Sequence, residues 1–338
     1  MSTRPTIVTV AREAGVSVST VSQVMRDSGR ISGETRERVL QAAKRINYQR
    51  DHHAAALRSK QFREIGLLIN QIANPFNAAV VSGVSHRLET EGYLVFILDT
   101  RDDAERQRRY IDTLIGGARG GLLWVPSVNT GDDVVEQVVA RNLPTVTFLR
   151  HLPGGKFDHV GIENSVGTFD ATEYLIKLGH RHIAFLGGED HIEVRMQRVS
   201  GFSEAMLVQG LNPNIVWSCQ ETKTEAAKAL PKMLDKHPEV TAIVCSGDMV
   251  AMGATLGLNS IGKTAGKEVS IIGFDGTEEA ALWTPSLSTL TVDAFFLGEQ
   301  LAQTLLDRIR EPQMPIRNTR VSARLDIRKT TGPPANLC

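Results

Sequence analysis

The sequence predicts an N-terminal all-α helix-turn-helix head followed by an α/β body of two lobes, each a parallel sheet with βαβ crossovers. Val8–Met25 reads as two short helical patterns joined by a glycine turn. From Ile65 onward, apolar strand-like runs alternate with amphipathic helical runs in two successive series. A length of 338 residues also exceeds what one hydrophobic core usually supports. The expected domains are residues 1–49 (head), 50–60 (linker) and 61–338 (two-lobed body).

In the head, Val10 and Ala14 lie one helical turn apart, Gly15 permits the left-handed residue that ends the first helix, and Val16 fills the angle. Ser17 is placed to cap the second helix. Val21 and Val24 give that helix an inward face, which leaves Val18, Ser19 and Gln23 outward. A second helix presented in this way fits the DNA major groove; a small helical bundle with no nucleic-acid partner has the same spacing. Val18, Ser19 and Gln23 are the candidate base readers, since glutamine pairs with adenine at two points and valine meets a thymine methyl. Thr6, Ser17, Thr20 and Ser22 are candidate phosphate contacts. A third helix over Thr35–Ile46 buries Val39, Ala42, Ala43 and Ile46, with Ser32 or Thr35 as its cap.

Charge divides the chain unevenly. Residues 1–60 hold 11 Lys and Arg against 5 Asp and Glu, so the rest holds 38 − 11 = 27 against 38 − 5 = 33. A basic head on an acidic body suits phosphate binding at one end, although basic helical faces are often merely solvated. No stretch approaches the roughly 18 apolar residues needed to span a membrane. Met1–Arg12 has no apolar run of the secretory kind. Cys219, Cys245 and Cys338 are too widely spaced for a metal site or a disulfide framework. The expected location is the cytoplasm.

The body's first series is a strand at Ile65–Ile69, a helix at Pro75–Glu91, a strand at Tyr93–Asp99 and a helix at Arg106–Ile115. A strand at Gly121–Pro126, a helix at Asp133–Arg141 and a strand at Pro144–Leu149 complete it. The second series runs through His159–Ile162, Gly167–Leu178, Arg181–Gly188, Arg198–Gln209, Glu225–Asp235, Val240–Cys245, Met249–Leu258, Val269–Asp275 and the helix Phe296–Arg310. Two parallel sheets imply a ligand crevice outside the carboxyl ends of their strands. Asn74, Phe76, Arg150, Arg198, Gly247, Asp248 and Asp275 fall at such ends. Phe76, with Trp283, would stack on a ring. Alternatively, Asp248 caps its helix, Asp275 caps a turn, and Arg150 holds Asp158 or another carboxylate.

Gly257-Leu-Asn-Ser-Ile-Gly262-Lys263-Thr264 matches the phosphate-loop pattern, but a helix precedes it and a strand follows, the reverse of what that mechanism needs. His180 follows Gly179, where a cation would favour the helix dipole. The histidines, including His52 and His53, have neither metal-ligand spacing nor a nucleophile partner. No catalytic residue, metal or cofactor is expected.

The head motif, the Asn47-Tyr48 pair and Ala54-Ala55-Ala56-Leu57-Arg58 resemble the lactose-repressor/galactose-repressor (LacI/GalR) family of bacterial transcription regulators. Asn74-Pro75-Phe76, Leu178-Gly179-His180, Arg198 before Gly201-Phe202, Gly273-Phe274-Asp275 and Pro285–Leu290 extend the resemblance from about Thr6 to Arg328. It implies a periplasmic-binding-protein-like body whose cleft closes on a small effector, with Arg198 and Asp275 on its hydroxyls or carboxylates. It also implies a hinge helix that carries Ala54 and Leu57 into the minor groove, Leu57 wedging between base pairs. A homodimer on a near-palindromic operator follows, and a tail without leucine heptads argues against a tetramer. The sequence departs from the family at Arg50, where proline is common, at Gly247, where asparagine is usual, and at Gln23, where arginine is frequent. The expected function is repression of carbohydrate-utilisation genes under a sugar or phosphosugar, with Arg150 and Arg198 together favouring an anionic ligand. A nucleobase-sensing regulator, or a solute-binding protein without a DNA role, is the alternative.

Overall fold

The computed structural model describes residues 5–48, 62–117 and 119–335. The chain divides into two compact units, Met1–Phe62 and Arg63–Cys338. The expected hinge contacts Ala54 and Leu57 lie outside the described residues.

Among the described residues the first unit has three helices, α1 (Ile7–Ala14), α2 (Val18–Met25) and α3 (Gly33–Arg45), around Val10, Ala14, Val21, Val24, Val39 and Ala42. Each begins with a hydroxyl cap: Thr6, Ser17 and Ser32 accept from the amides of Thr9, Thr20 and Thr35. Gly15 ends α1 at φ 63°, where nothing lies near a would-be side chain, so the turn uses glycine only for its backbone freedom. Ser32, not Thr35, caps α3.

The second unit holds two six-stranded sheets. The first contains β1 (Glu64–Ile69), β2 (Leu94–Asp99), β3 (Gly121–Trp124), β4 (Thr145–Phe148), β5 (Asp158–Ile162) and a strand from the far end of the chain, Asn318–Val321. Its helices are α4 (Pro75–Glu89), α5 (Ala104–Gly116) and α6 (Asp132–Ala140). The second sheet contains β6 (Ile183–Leu186), β7 (Val216–Trp217), β8 (Ala242–Cys245), β9 (Ser270–Asp275), β10 (Ser288–Thr291) and the strand Arg324–Asp326. Its helices are α7 (Asn164–Lys177), α8 (Glu193–Val208), α9 (Lys223–Lys236), α10 (Asp248–Ser260) and α11 (Glu278–Leu282). The last helix, α12 (Ala294–Arg310), precedes β11 (Asn318–Val321) and β12 (Arg324–Asp326).

Two expectations need correction. The strand at His159–Ile162 does not open the second sheet: β5 pairs parallel with β4 and β11 in the first. The helix α12 likewise belongs to the first lobe, packing on α4 and on β3, β4 and β5. The Asp158 carboxylate on β5 explains why, since it is buried and accepts two 2.8 Å bonds from the Arg308 guanidinium of α12 and one from the Arg317 amide. The chain therefore passes between lobes three times, after β5, β10 and β11. All strand pairs are parallel except β10 with β12.

Candidate DNA-reading head and ligand cleft

On the head, Val18 is 42% exposed, Ser19 is exposed and Gln23 is half-buried, while Val21 and Val24 are in the core. Gln23 lies over Gly29, which sits at φ 82°; a Cβ there would come within 2.8 Å of the Gln23 amide oxygen. The Ser17 hydroxyl, besides capping α2, bonds to the hydroxyls of Ser19 (2.7 Å) and Thr20 (2.8 Å). Thr6 is exposed and shares a capping box with Thr9, and Ser22 is half-buried. Arg36 pairs with Asp27, and Arg45 with Glu13 at 3.3 Å. Arg12, Arg26, Arg30, Arg38 and Lys44 are exposed cations on the same small unit, the charge distribution that phosphate contacts require.

In the body, a cleft of about 670 Å³, counting space continuous with solvent, opens between the two sheets. It is lined from the carboxyl ends of the strands, where side chains leave the sheet without pairing obligations. Six expected residues meet there: Asn74, Phe76, Arg150, Arg198, Gly247 and Asp275. Asp248 does not line it. It is fully buried, and its carboxylate accepts from the Thr289 hydroxyl (2.5 Å), the Thr277 amide (2.8 Å) and the Thr277 hydroxyl (3.1 Å). Burial raises its pKa to about 6 against those bonds. Nor does Asp248 cap α10: Gly247 is the cap residue and provides no side chain, so Asp248 ties the helix to β10 and the loop after β9. Trp283 also lies away from the cleft, its indole N–H donating to Thr255 at 2.7 Å.

Asn74 caps α4 by accepting from the Phe76 amide at 3.0 Å, which fixes the ring at the cleft wall. Arg150 is held not by Asp158 but by Asp102, through bonds of 2.5 and 2.8 Å, and also donates to the Pro126 carbonyl. Arg198 donates from Nε to Asn164 Oδ1 at 2.9 Å and from Nη1 to the Ser246 carbonyl, with its guanidinium 3.5 Å from the centroid of the Phe274 ring. Its nearest carboxylate is Asp275, at 3.9 Å. Burial pushes Asp275 well above the ordinary carboxylate range, opposed by Arg198, and the same burial lowers Arg198.

Two backbone positions at the cleft are strained. Leu149 has φ 62°, with the Arg150 amide donating to the Phe148 carbonyl across it, and Asp275 has φ 118°. Sequence reasoning missed Glu221, Asn70, Gln71, Asn77 and Ser246, which also line the cleft. Glu221 follows the two-residue strand β7, too short to register as a period. Asn77 lies one turn inside α4, beyond the strand end that the crevice rule inspects.

These side chains offer amides, a hydroxyl and carboxyls around one aromatic wall; the Arg150 guanidinium is bonded to Asp102, and the Arg198 guanidinium donates to Asn164 and the Ser246 carbonyl. The phosphate-loop-like glycines serve a helix contact and a turn instead. Gly257 lies in α10 with the Ala227 carbonyl 2.8 Å from where its Cβ would be, and Gly262 turns the chain at φ 71°. His180 is buried beside Thr241, Ser270 and the Gly332 carbonyl, to which it bonds, and that burial lowers its pKa. Among the described residues no group of three or more His, Cys, Asp or Glu could hold a metal, and no helix is long and apolar enough to cross a membrane.

Comparison with known proteins covers both units. Residues 6–51 match the model of bacterial regulatory proteins of the lacI family, and residues 63–329 match that of periplasmic binding proteins and the sugar-binding domain of the LacI family. The maltose regulon regulatory protein MalI of Escherichia coli K12 is 31% identical over 95% of this chain and 97% of its own. The ribose operon repressor of Halalkalibacterium halodurans is 32% identical over 96% and 97%. The lac repressor dimer bound to operator and the anti-inducer ONPF superposes with a TM-score of 0.85 at 25% identity, covering 98% of this chain and all of that one. The chain belongs to the lacI family of bacterial regulatory proteins, and is a helix-turn-helix transcription regulator with a periplasmic-binding-protein-like body.

Proposed function

We propose that this regulator is a cytoplasmic homodimer that represses carbohydrate-utilisation genes from a near-palindromic operator and is controlled by a neutral sugar in the cleft. The observation that carries the ligand class is that both arginines are already engaged, Arg150 by a carboxylate. Arg150 makes two bonds to Asp102, and Arg198 already donates to Asn164 and the Ser246 carbonyl. An anionic ligand would have to displace Asp102 from Arg150, whereas hydroxyl groups can bond to the amides and carboxyls as they stand. Asn74, Phe76, Arg150, Arg198, Gly247 and Asp275 are the proposed effector contacts. Thr6, Ser17, Val18, Ser19, Thr20, Ser22, Gln23, Ala54 and Leu57 are the proposed DNA contacts.

The domain scheme is 1–49 for the head, 50–60 for the hinge and 61–338 for the effector-binding body. Relatives named for maltose and ribose regulation support a carbohydrate role. Homodimerisation is supported by apolar side chains on the outer strand of the first sheet, where Leu94 is 66% exposed beside Phe96 and Ile97, and by Leu282, 74% exposed, on the second lobe. Such side chains on an edge strand are normally covered by a partner. The protein acts by binding, in keeping with a family of regulatory proteins.

Isothermal titration of the full-length protein with ribose, glucose, maltose and cellobiose, alongside glucose 6-phosphate and hypoxanthine, tests the ligand class. Binding of a neutral sugar, with the phosphorylated one weaker, is the expected result. Preferential binding of glucose 6-phosphate overturns the charge argument, and preferential binding of hypoxanthine assigns the cleft to nucleobases.

A further inference from the structure

The bonds around Arg198 continue beyond the cleft. Arg198 Nε donates to Asn164 Oδ1 (2.9 Å), Asn164 Nδ2 donates to Gln197 Oε1 (2.8 Å), and Gln197 Nε2 donates to Glu193 Oε1 (2.9 Å). Arg198 and Gln197 are adjacent on α8, yet the route between their side chains runs through α7. Glu193, the first residue of α8, is then met from the other lobe. The His151 amide donates to its Oε2 (2.8 Å), and His151 Nδ1 lies 2.9 Å from its Oε1. His151 follows β4 directly after Arg150, stacks on His159 of β5 with ring centroids 3.6 Å apart, and faces Asn318 Nδ2 of β11 across 3.4 Å at Nε2.

Donor and acceptor roles along this path agree at every joint. Asn164 and Gln197 each accept on the oxygen and donate from the nitrogen, so both amides have one orientation. A carboxylate only accepts, so Nδ1 of His151 carries a proton and donates to Glu193. Glu193 is therefore the common acceptor of two donor series, one from each lobe, and bonds in such a series polarise one another.

We infer that His151, Glu193, Gln197 and Asn164 are positioning residues for Arg198, coupling contact between the lobes to placement of the guanidinium at the cleft. The inference rests on the reading of that cleft as an effector site. When the lobes part at His151, Glu193 loses two donors and is drawn toward solvent, Gln197 follows it, and Asn164 is no longer held in the orientation that accepts from Arg198. A ligand that draws the lobes together restores the whole path. Hydrogen bonds to an ionised group are the strong ones, so cutting one joint is expected to alter Arg198 by about tenfold.

The test uses full-length protein labelled with ¹⁵N-arginine, the Arg198 Nε–H resonance being assigned by its loss in Arg198→Lys. Its hydrogen-exchange rate is expected to rise about tenfold in His151→Ala and in Gln197→Ala. His151→Gln, whose amide can still donate to Glu193, is expected to return it to within about twofold of wild type. An unchanged rate in His151→Ala, or failure of His151→Gln to restore it, overturns the proposal, as does an unchanged rate in Gln197→Ala. Should His151→Ala not fold, Glu193→Ala cuts the same joint. In parallel, whichever of ribose, glucose, maltose and cellobiose binds the wild type is expected to bind His151→Ala about tenfold more weakly. Equal affinity contradicts the coupling. If none of the four binds the wild type, the carbohydrate reading fails while the exchange rates still decide the positioning path.

Discussion

Gln23, a proposed base reader, is held in place within the head. Its side chain rests over Gly29, whose missing Cβ and φ of 82° make room for it. Replacing Gln23 by alanine is expected to remove about 1–3 kcal/mol of discrimination at one base step. Binding-site selection checks this: the wild type should recover adenine at one position of each half-site and the variant should not, while guanine recovered by the wild type contradicts the assignment. His159 gives a pH dependence of folding. Burial, reinforced by His151 and Arg320, lowers its pKa from 6.5 to about 3. The unfolded chain thus binds more protons between those values, so this stabilisation is complete above 6.5 and is lost as the pH falls toward 3. The advantage in melting temperature of wild type over His159→Gln is therefore expected to shrink between pH 8 and pH 5; a constant gap contradicts it. At this scale the sequence was most readable where bonding is local. The hydroxyl caps and the left-handed Gly15 depend on neighbours a turn away. Asp248 was misread because an acid at a helix start looks like a cap, and only distant Thr277 and Thr289 reveal what it binds.

Helix contacts explain several glycines that motif matching leaves idle. Gly83 on α4 and Gly298 on α12 let these helices touch backbone to backbone. A Cβ on Gly83 would lie 2.0 Å from the Phe295 carbonyl oxygen, and one on Gly298 would lie 2.2 Å from that of Val80. Neither neighbour is a flexible side chain, so Gly83→Ala or Gly298→Ala is expected to destabilise the first lobe by about 1–3 kcal/mol or more, read by denaturant unfolding. Gly15→Ala, with open space around it, should cost only the backbone term of about 1–2 kcal/mol and act on the head alone. Arg308→Met would leave the Asp158 carboxylate buried beside α12 without its bidentate partner, at a cost of about 3–5 kcal/mol. Wild-type stability in that variant would remove the explanation for why β5 joins the first sheet. Elements with a long apolar period were legible in order and type. The strands β7, β10, β11 and β12 were not: β7 and β12 have only two and three residues, and β10 (Ser288–Thr291) and β11 (Asn318–Val321) are largely polar, so none shows an apolar run. The sheet to which β5 belongs is set by pairing with a strand more than 150 residues away, as in Asn318 opposite His159.

The body draws each sheet from separate parts of the chain, and three passages between lobes make a cleft whose two walls come from different sheets. Its position was legible because strand ends in parallel sheets must face a common crevice. Its charge was not, since Asp102, the partner of Arg150, approaches from a loop 48 residues away. The basic head makes operator binding salt-dependent, the logarithm of affinity falling by about 0.9 per phosphate contacted for each tenfold rise in salt. The most direct test of the central claim, a sugar-gated DNA regulator, is fluorescence anisotropy on a selected operator duplex with and without neutral sugar at fixed ionic strength. The expected result is twofold-symmetric, sequence-dependent binding whose affinity one neutral sugar changes by about tenfold or more, within the usual range of coupling between sites. Binding indifferent to sequence, or an operator affinity that no neutral sugar alters, would contradict it.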